Sequence, residues 1–72
     1  MAEIRFDIEP GREFVELNQL LKLAGLCDSG GAGKHLVAEG RVRVDGQVEL
    51  RKTAKIRAGQ WVQLGADTVH VH

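Results

Sequence analysis

The chain is 72 residues long, enough for one small domain over residues 1–72 and too short for a catalytic domain beside a binding one. Its ten basic and ten acidic side chains cancel, and no apolar run approaches the roughly 20 residues that a membrane span needs. Cys27 is the sole cysteine and excludes an internal disulfide, while three histidines beside it make no recognisable zinc spacing. No metal, cofactor, small-molecule substrate or membrane is expected. Residues 1–10 carry acids where a signal peptide would be basic and then apolar, so the expected compartment is the cytoplasm.

In chain order, Ile4, Phe6 and Ile8 alternate with Arg5 and Asp7, the period-2 pattern of a half-buried strand, and Pro10-Gly11 ends it. From Glu13 the period changes. Phe14, Leu17, Leu21 and Ala24 recur at steps of three and four, widened by Leu20 and Leu23, so an amphipathic helix is expected with Glu13 and Glu16 in its first turns. Gly25 suits its left-handed stop. Ser29 can cap a second helix running through Glu39, with Gly33, Leu36 and Val37 on one side and Gly40 as terminator. Gly30, Gly31 and Gly33 each cost about 1 kcal/mol relative to alanine, so close packing must hold this helix start.

Asp45-Gly46 between Arg41–Val44 and Gln47–Leu50 is a hairpin signal. Residues 51–60 read as a basic, irregular loop around Ile56. Trp61–Leu64 and Thr68–Val71 read as two more strands around Gly65-Ala66-Asp67. The fold class is therefore α+β: two packed helices followed by a small, mostly antiparallel sheet.

The neutral total hides an uneven distribution. Residues 1–28 hold three basic against six acidic side chains, a net −3, whereas residues 34–57 hold seven against three, a net +4. Arg51, Lys52, Lys55 and Arg57 make a basic loop after the hairpin, and Arg41 and Arg43, two apart, project on one face. These cations either form a phosphate-binding surface or simply solubilise a small sheet.

Gly30-Gly31-Ala32-Gly33-Lys34 superficially resembles a phosphate loop, but a Walker sequence needs glycine where Asp28 stands and serine or threonine where His35 stands. Two readings remain for it: a helix start that offers bare N–H groups and Lys34 to a phosphate, or glycines that only permit close packing. His70 and His72 share one strand face and are expected to be exposed, not metal-binding. Cys27 has no partner spaced to activate it and is expected to be a small buried residue. Asp7 and Glu9 are expected to face water. Phe6 and Phe14 are expected in the core, and Trp61 is either a core anchor or an exposed stacking residue. No catalytic constellation emerges.

Leu20-Leu21-Lys22-Leu23-Ala24-Gly25, Ser29, Leu36-Val37, Gly40, Val42-Arg43-Val44-Asp45-Gly46 and Gly59 resemble the RNA-binding domain named after ribosomal small-subunit protein four, over about residues 14–64. Ser29–Lys34 and Arg51–Ile56 look most like its small free-standing branch, the YbcJ-like ribosome-associated proteins. The resemblance implies an αL-type motif that presents basic residues to structured RNA, ribosomal or transfer, without catalysis. Lys34 sits where the family has a basic residue on its second helix, Arg43 lies on the strand before the turn, and Arg51, Lys52 and Lys55 match the branch's basic loop. Gly30 departs from the family's arginine after Ser29, Asp45 from a common asparagine, and Gln60 from a common aspartate after Gly59.

Residues and resemblance together predict a stand-alone protein that binds structured RNA, on a ribosome or precursor particle, through Lys34, Arg41, Arg43, Arg51, Lys52 and Lys55. The alternative is a protein-interaction module using the acidic first-helix face, Glu13 and Glu16, together with Trp61.

Overall fold

Alternation at the N-terminus does build a strand: in the computed structural model, which describes residues 2–72, β1 spans Glu3–Phe6 with Ile4 and Phe6 turned inward. Next come β2 (Val15–Glu16), α1 (Leu17–Leu23), α2 (Gly30–Ala38), β3 (Val42–Val44) and β4 (Gln47–Val48). β5 (Lys55–Ile56), β6 (Trp61–Leu64) and β7 (Asp67–Val71) complete the chain. Five strands form one sheet in the order β1-β7-β6-β3-β4, antiparallel except for β1, which runs parallel to β7. A parallel pair needs a long crossover, and here everything between β1 and β7 supplies it. β2 and β5 form a separate two-stranded ladder.

The core lies between the helix pair and one face of the sheet. Leu17, Leu20 and Leu21 of α1 and Val37 of α2 pack with Ile56, Val42, Val62, Val69 and Val71, all at most 2% exposed. Strand alternation then turns Arg43, Trp61, Gln63, Thr68 and His70 to the opposite face, away from the helices. The total surface, 4520 Å², matches the roughly 4,400 Å² that area scaling gives for this mass, as a fully packed chain should.

Asp45 and Gly46 both have positive φ, 51° and 87°, the two-residue turn whose twist suits a tight hairpin. Asp45 does more than turn the chain. Its carboxylate accepts from the Trp61 N–H at 3.1 Å and from the Gln60 amide at 3.0 Å, stapling the hairpin to β6.

Several expectations are corrected. The first helix begins at Leu17, not near Glu13, because Val15 and Glu16 are drawn into pairing with Ile56 and Lys55. The Leu17 N–H donates to the Ala54 carbonyl at 2.9 Å and the Asn18 N–H to that of Lys52 at 3.1 Å, so the basic loop caps the helix with its backbone. Glu13 and Glu16 consequently precede α1, whose first turn carries no acid. Leu23 leaves the apolar stripe and is 59% exposed. The expected irregular stretch contains β5, and Asp67 belongs to β7, leaving a two-residue turn at Gly65-Ala66. Arg41 lies just before β3, not on it.

Candidate functional site

The loop from Glu49 to Ala54 crosses from β4 to the start of α1, and its anchoring decides where the cations stand. Besides the two carbonyls that cap α1, the Ala54 N–H turns back to the Arg51 carbonyl at 3.2 Å. Lys52 and Lys55 are therefore exposed side chains on a backbone that is fastened down. Lys34 stands exposed on α2. Gly33, buried beside it, touches the Asn18 backbone so closely that an added Cβ would lie 2.6 Å from the Asn18 carbonyl oxygen. The Asn18 backbone thus meets both elements: Gly33 of α2 packs against it, and its N–H bonds the Lys52 carbonyl.

Arg41 lies at the far end of α2, exposed, after a Gly40 that sits against Leu50 and Val48. That contact brings the α2–β3 junction alongside the residue preceding Arg51. Lys34, Arg41, Arg51, Lys52 and Lys55 are all exposed. Arg43 is exposed as well and projects from the open face of the sheet, flanked across the strands by Gln63 and Val48.

Two of the cations have protein partners. Arg51 forms a two-pronged ion pair with Glu49, at 2.8 and 3.1 Å, and its backbone N–H bonds the same carboxylate at 3.0 Å. The side-chain hydrogen bond from Arg51, with the backbone one adding to it, holds the Glu49 carboxyl down at about 2. Lys55 rests its ammonium 5.0 Å from the centre of the Phe14 ring, and Arg57 stands 5.8 Å from the same ring. Phe14 is therefore a half-buried platform under two cations, a correction to its expected place in the core.

The start of α2 has the cap foreseen for it. The Ser29 hydroxyl accepts from the Ala32 N–H at 3.1 Å, and the Ser29 carbonyl accepts from Gly33. The Gly30 and Gly31 N–H groups, which have no acceptor within a helix, point out of its first turn.

Trp61 is half-buried on the face away from the helices, with its ring within 3.6 Å of the place a Cβ on Gly46 would take. It packs on the hairpin turn, outside the main core. Of the residues in the alternative reading, Glu16 stands at the N-cap of α1 and Glu13 lies 3.9 Å from the Arg57 guanidinium. Cys27 is half-buried, its thiol donating to the Ser29 carbonyl at 3.3 Å. His70 is exposed and lies 2.8 Å from a Glu3 carboxylate oxygen. Among the described residues no three His, Cys, Asp or Glu side chains gather as a metal site would require, and no helix is long and apolar enough to cross a membrane.

With this geometry in view, comparison with known proteins is informative. The family model described as the S4 domain matches residues 7–72, a wider span than the 14–64 that the motifs cover. The chain is 53% identical over 57 residues to YbcJ of Escherichia coli (strain K12), covering 79% of this chain and 81% of that protein. An uncharacterized YbcJ of Shigella flexneri matches equally. Among solved structures, the solution structure of YbcJ from E. coli, described as revealing an αL motif involved in RNA-binding, superposes with a TM-score of 0.71. That match has 46% identity and covers 93% of this chain and 84% of the other.

Proposed function

The chain belongs to the S4 domain family, and from that premise we propose that it is a non-catalytic protein that binds structured RNA, on a ribosome or a precursor particle, through the flank where α2 meets the basic loop. One observation supports the reading: the segment that bears Arg51, Lys52 and Lys55 is bonded by the Lys52 and Ala54 carbonyls to the first turn of α1, and Gly33, next to Lys34, packs on Asn18 of that same turn. Fixed cations bind a fixed phosphate array with little ordering cost, which favours folded RNA over a flexible strand.

Lys34, Lys52 and Lys55 contact phosphates directly. Arg41 extends the flank along α2, Arg51 joins by exchanging Glu49 for a phosphate, and Arg43 meets RNA that reaches past β3 onto the open face of the sheet. Phe6, Phe14 and Trp61 are the only aromatics and offer no stacking row, so shape and backbone are read more than base sequence.

Fluorescence anisotropy with a labelled RNA hairpin at about 50 and about 200 mM salt tests this. Four to five phosphate contacts give a slope of log affinity on log salt of about −3 to −4.5, hence a loss of about 10² or more across that range. Absence of binding at the lower salt overturns the proposal in favour of a protein partner, and RNA binding that does not weaken at the higher salt overturns the phosphate-contact mechanism.

A further inference from the structure

Resting on the RNA reading above, we propose that the open face of the sheet holds one unpaired nucleotide of that RNA, its base stacked on Trp61 and its phosphate on Arg43. The helices cover the other face, so Trp61 stands half-buried outside the core cluster. Its place is nevertheless fixed. The Trp61 N–H donates to the Asp45 carboxylate at 3.1 Å, and the Trp61 carbonyl accepts from the Asp45 N–H at 2.9 Å. The far edge of the indole rests on the hairpin turn, 3.6 Å from the point where a Cβ on Gly46 would stand. A ring braced at its backbone and at its edge has little freedom left to lose when a ligand stacks on it.

The neighbours select the occupant. Strand register sets His70 directly beside Trp61 and Arg43 diagonally from it, positions that in a sheet lie about 5 Å and about 7 to 8 Å away. His70 is taken by Glu3 at 2.8 Å, whereas Arg43 is exposed and has no ion pair among the described residues. An unneutralised guanidinium near a fixed indole suits a ligand that joins a flat ring to an anion over a short span, which is the chemistry of a nucleotide. Polar Gln63 and Thr68 fill the adjacent row, so this face lacks the continuous apolar patch that would hold a protein partner. The basic segment is close by: Val48 pairs with Arg43, and Arg51 follows Val48 by at most about 10 Å of chain, a short path for RNA engaged there. Only an unpaired base can be splayed onto a side chain in this way. One ring holds one base and stacking accepts every base, so the contact adds affinity for an unpaired position without reading sequence.

The chain has one tryptophan and no tyrosine, so its intrinsic emission reports the Trp61 ring alone. The test titrates a blunt RNA duplex, and the same duplex with a short single-stranded overhang, into wild type, Trp61→Phe and Trp61→Leu. Anisotropy of a label on the RNA reads binding, and quenching of wild-type emission reads stacking. Wild type should bind the overhang duplex at least about 5-fold more tightly than the blunt one, and only the overhang should quench the emission. Trp61→Leu should bind both duplexes with the blunt affinity, while Trp61→Phe, which keeps a ring, retains part of the preference. Equal affinity of wild type for the two duplexes, unchanged emission while the overhang duplex is bound, or a preference that survives in Trp61→Leu overturns the stacking site and leaves the basic flank standing. Failure of the wild type to bind either RNA overturns both proposals.

Discussion

At the residue scale, Gly33 shows how one side chain's absence lets two helices pack closely. A methyl group there would lie 2.6 Å from a backbone oxygen that cannot rotate away, so the helices would have to part. Alanine's better helix propensity, worth about 1 kcal/mol, opposes an overpacking cost of about 1 to 3 kcal/mol that lies at its upper end when the obstacle is backbone. Gly33→Ala should therefore destabilise by about 2 kcal/mol, seen as a melting temperature lower by about 10 °C, and weaken RNA binding with it. Glu49 poses a different contest, since it holds Arg51 in the position where a phosphate would compete. Glu49→Gln should cost about 0.5 kcal/mol of stability at neutral pH, because Arg51 is largely exposed, yet raise RNA affinity about threefold by freeing the guanidinium. The carboxyl is held below its ordinary 4.5, at about 2, so its contribution is complete above about pH 4.5 and lost as pH falls toward 2. Thermal melts of wild type and Glu49→Gln should accordingly differ at pH 7 and coincide near pH 2.

At the scale of elements, the two helices begin by different means. α2 relies on its own sequence: Ser29 caps Ala32, and with three glycines in its first four residues the helix has little propensity to fall back on. Ser29→Ala should cost about 1 kcal/mol, measured by denaturant midpoint, and should weaken RNA binding because the Gly30 and Gly31 N–H groups lose their fixed direction. α1 has no side-chain cap and is started by carbonyls of the basic loop, more than thirty positions along the chain. That dependence explains why α1 begins at Leu17 although its apolar period begins at Phe14. The period of Phe14, Leu17 and Leu21 is real, but Val15 and Glu16 gain more from pairing with β5 than from another helical turn.

For the whole molecule, net charge is neutral but unevenly placed along the chain, and the proposed basic flank draws on the +4 segment from 34 to 57. Single alanine substitutions at Lys34, Lys52 and Lys55 should each reduce the steepness of the salt dependence by about 0.7 to 0.9, with melting temperatures nearly unchanged. Arg51→Ala should change it less, since Glu49 already neutralises that charge, and so should Arg43→Ala, which removes a charge from the other face of the sheet. Equal effects at all five positions would show that charge alone, without a defined flank, drives binding.

Local signals made most of this architecture readable before any coordinates. The Asp45-Gly46 hairpin, the Ser29 cap, the stops at Gly25 and Gly40 and the apolar stripe of Leu17, Leu20 and Leu21 each depend on neighbours within a few residues, and each is present. The basic residues of the candidate flank were legible as well, by composition and by resemblance to the family. Tertiary structure alone decided the rest: the β2–β5 ladder, the parallel pairing of β1 with β7, the capping of α1 by Lys52 and Ala54, and Phe14 beneath Lys55. The first three join distant segments through backbone hydrogen bonds, and the last through a ring and a cation far apart in the chain. None leaves a periodic trace in sequence, because a carbonyl is the same in every residue and period reports which face of an element is apolar, not which distant segment it meets.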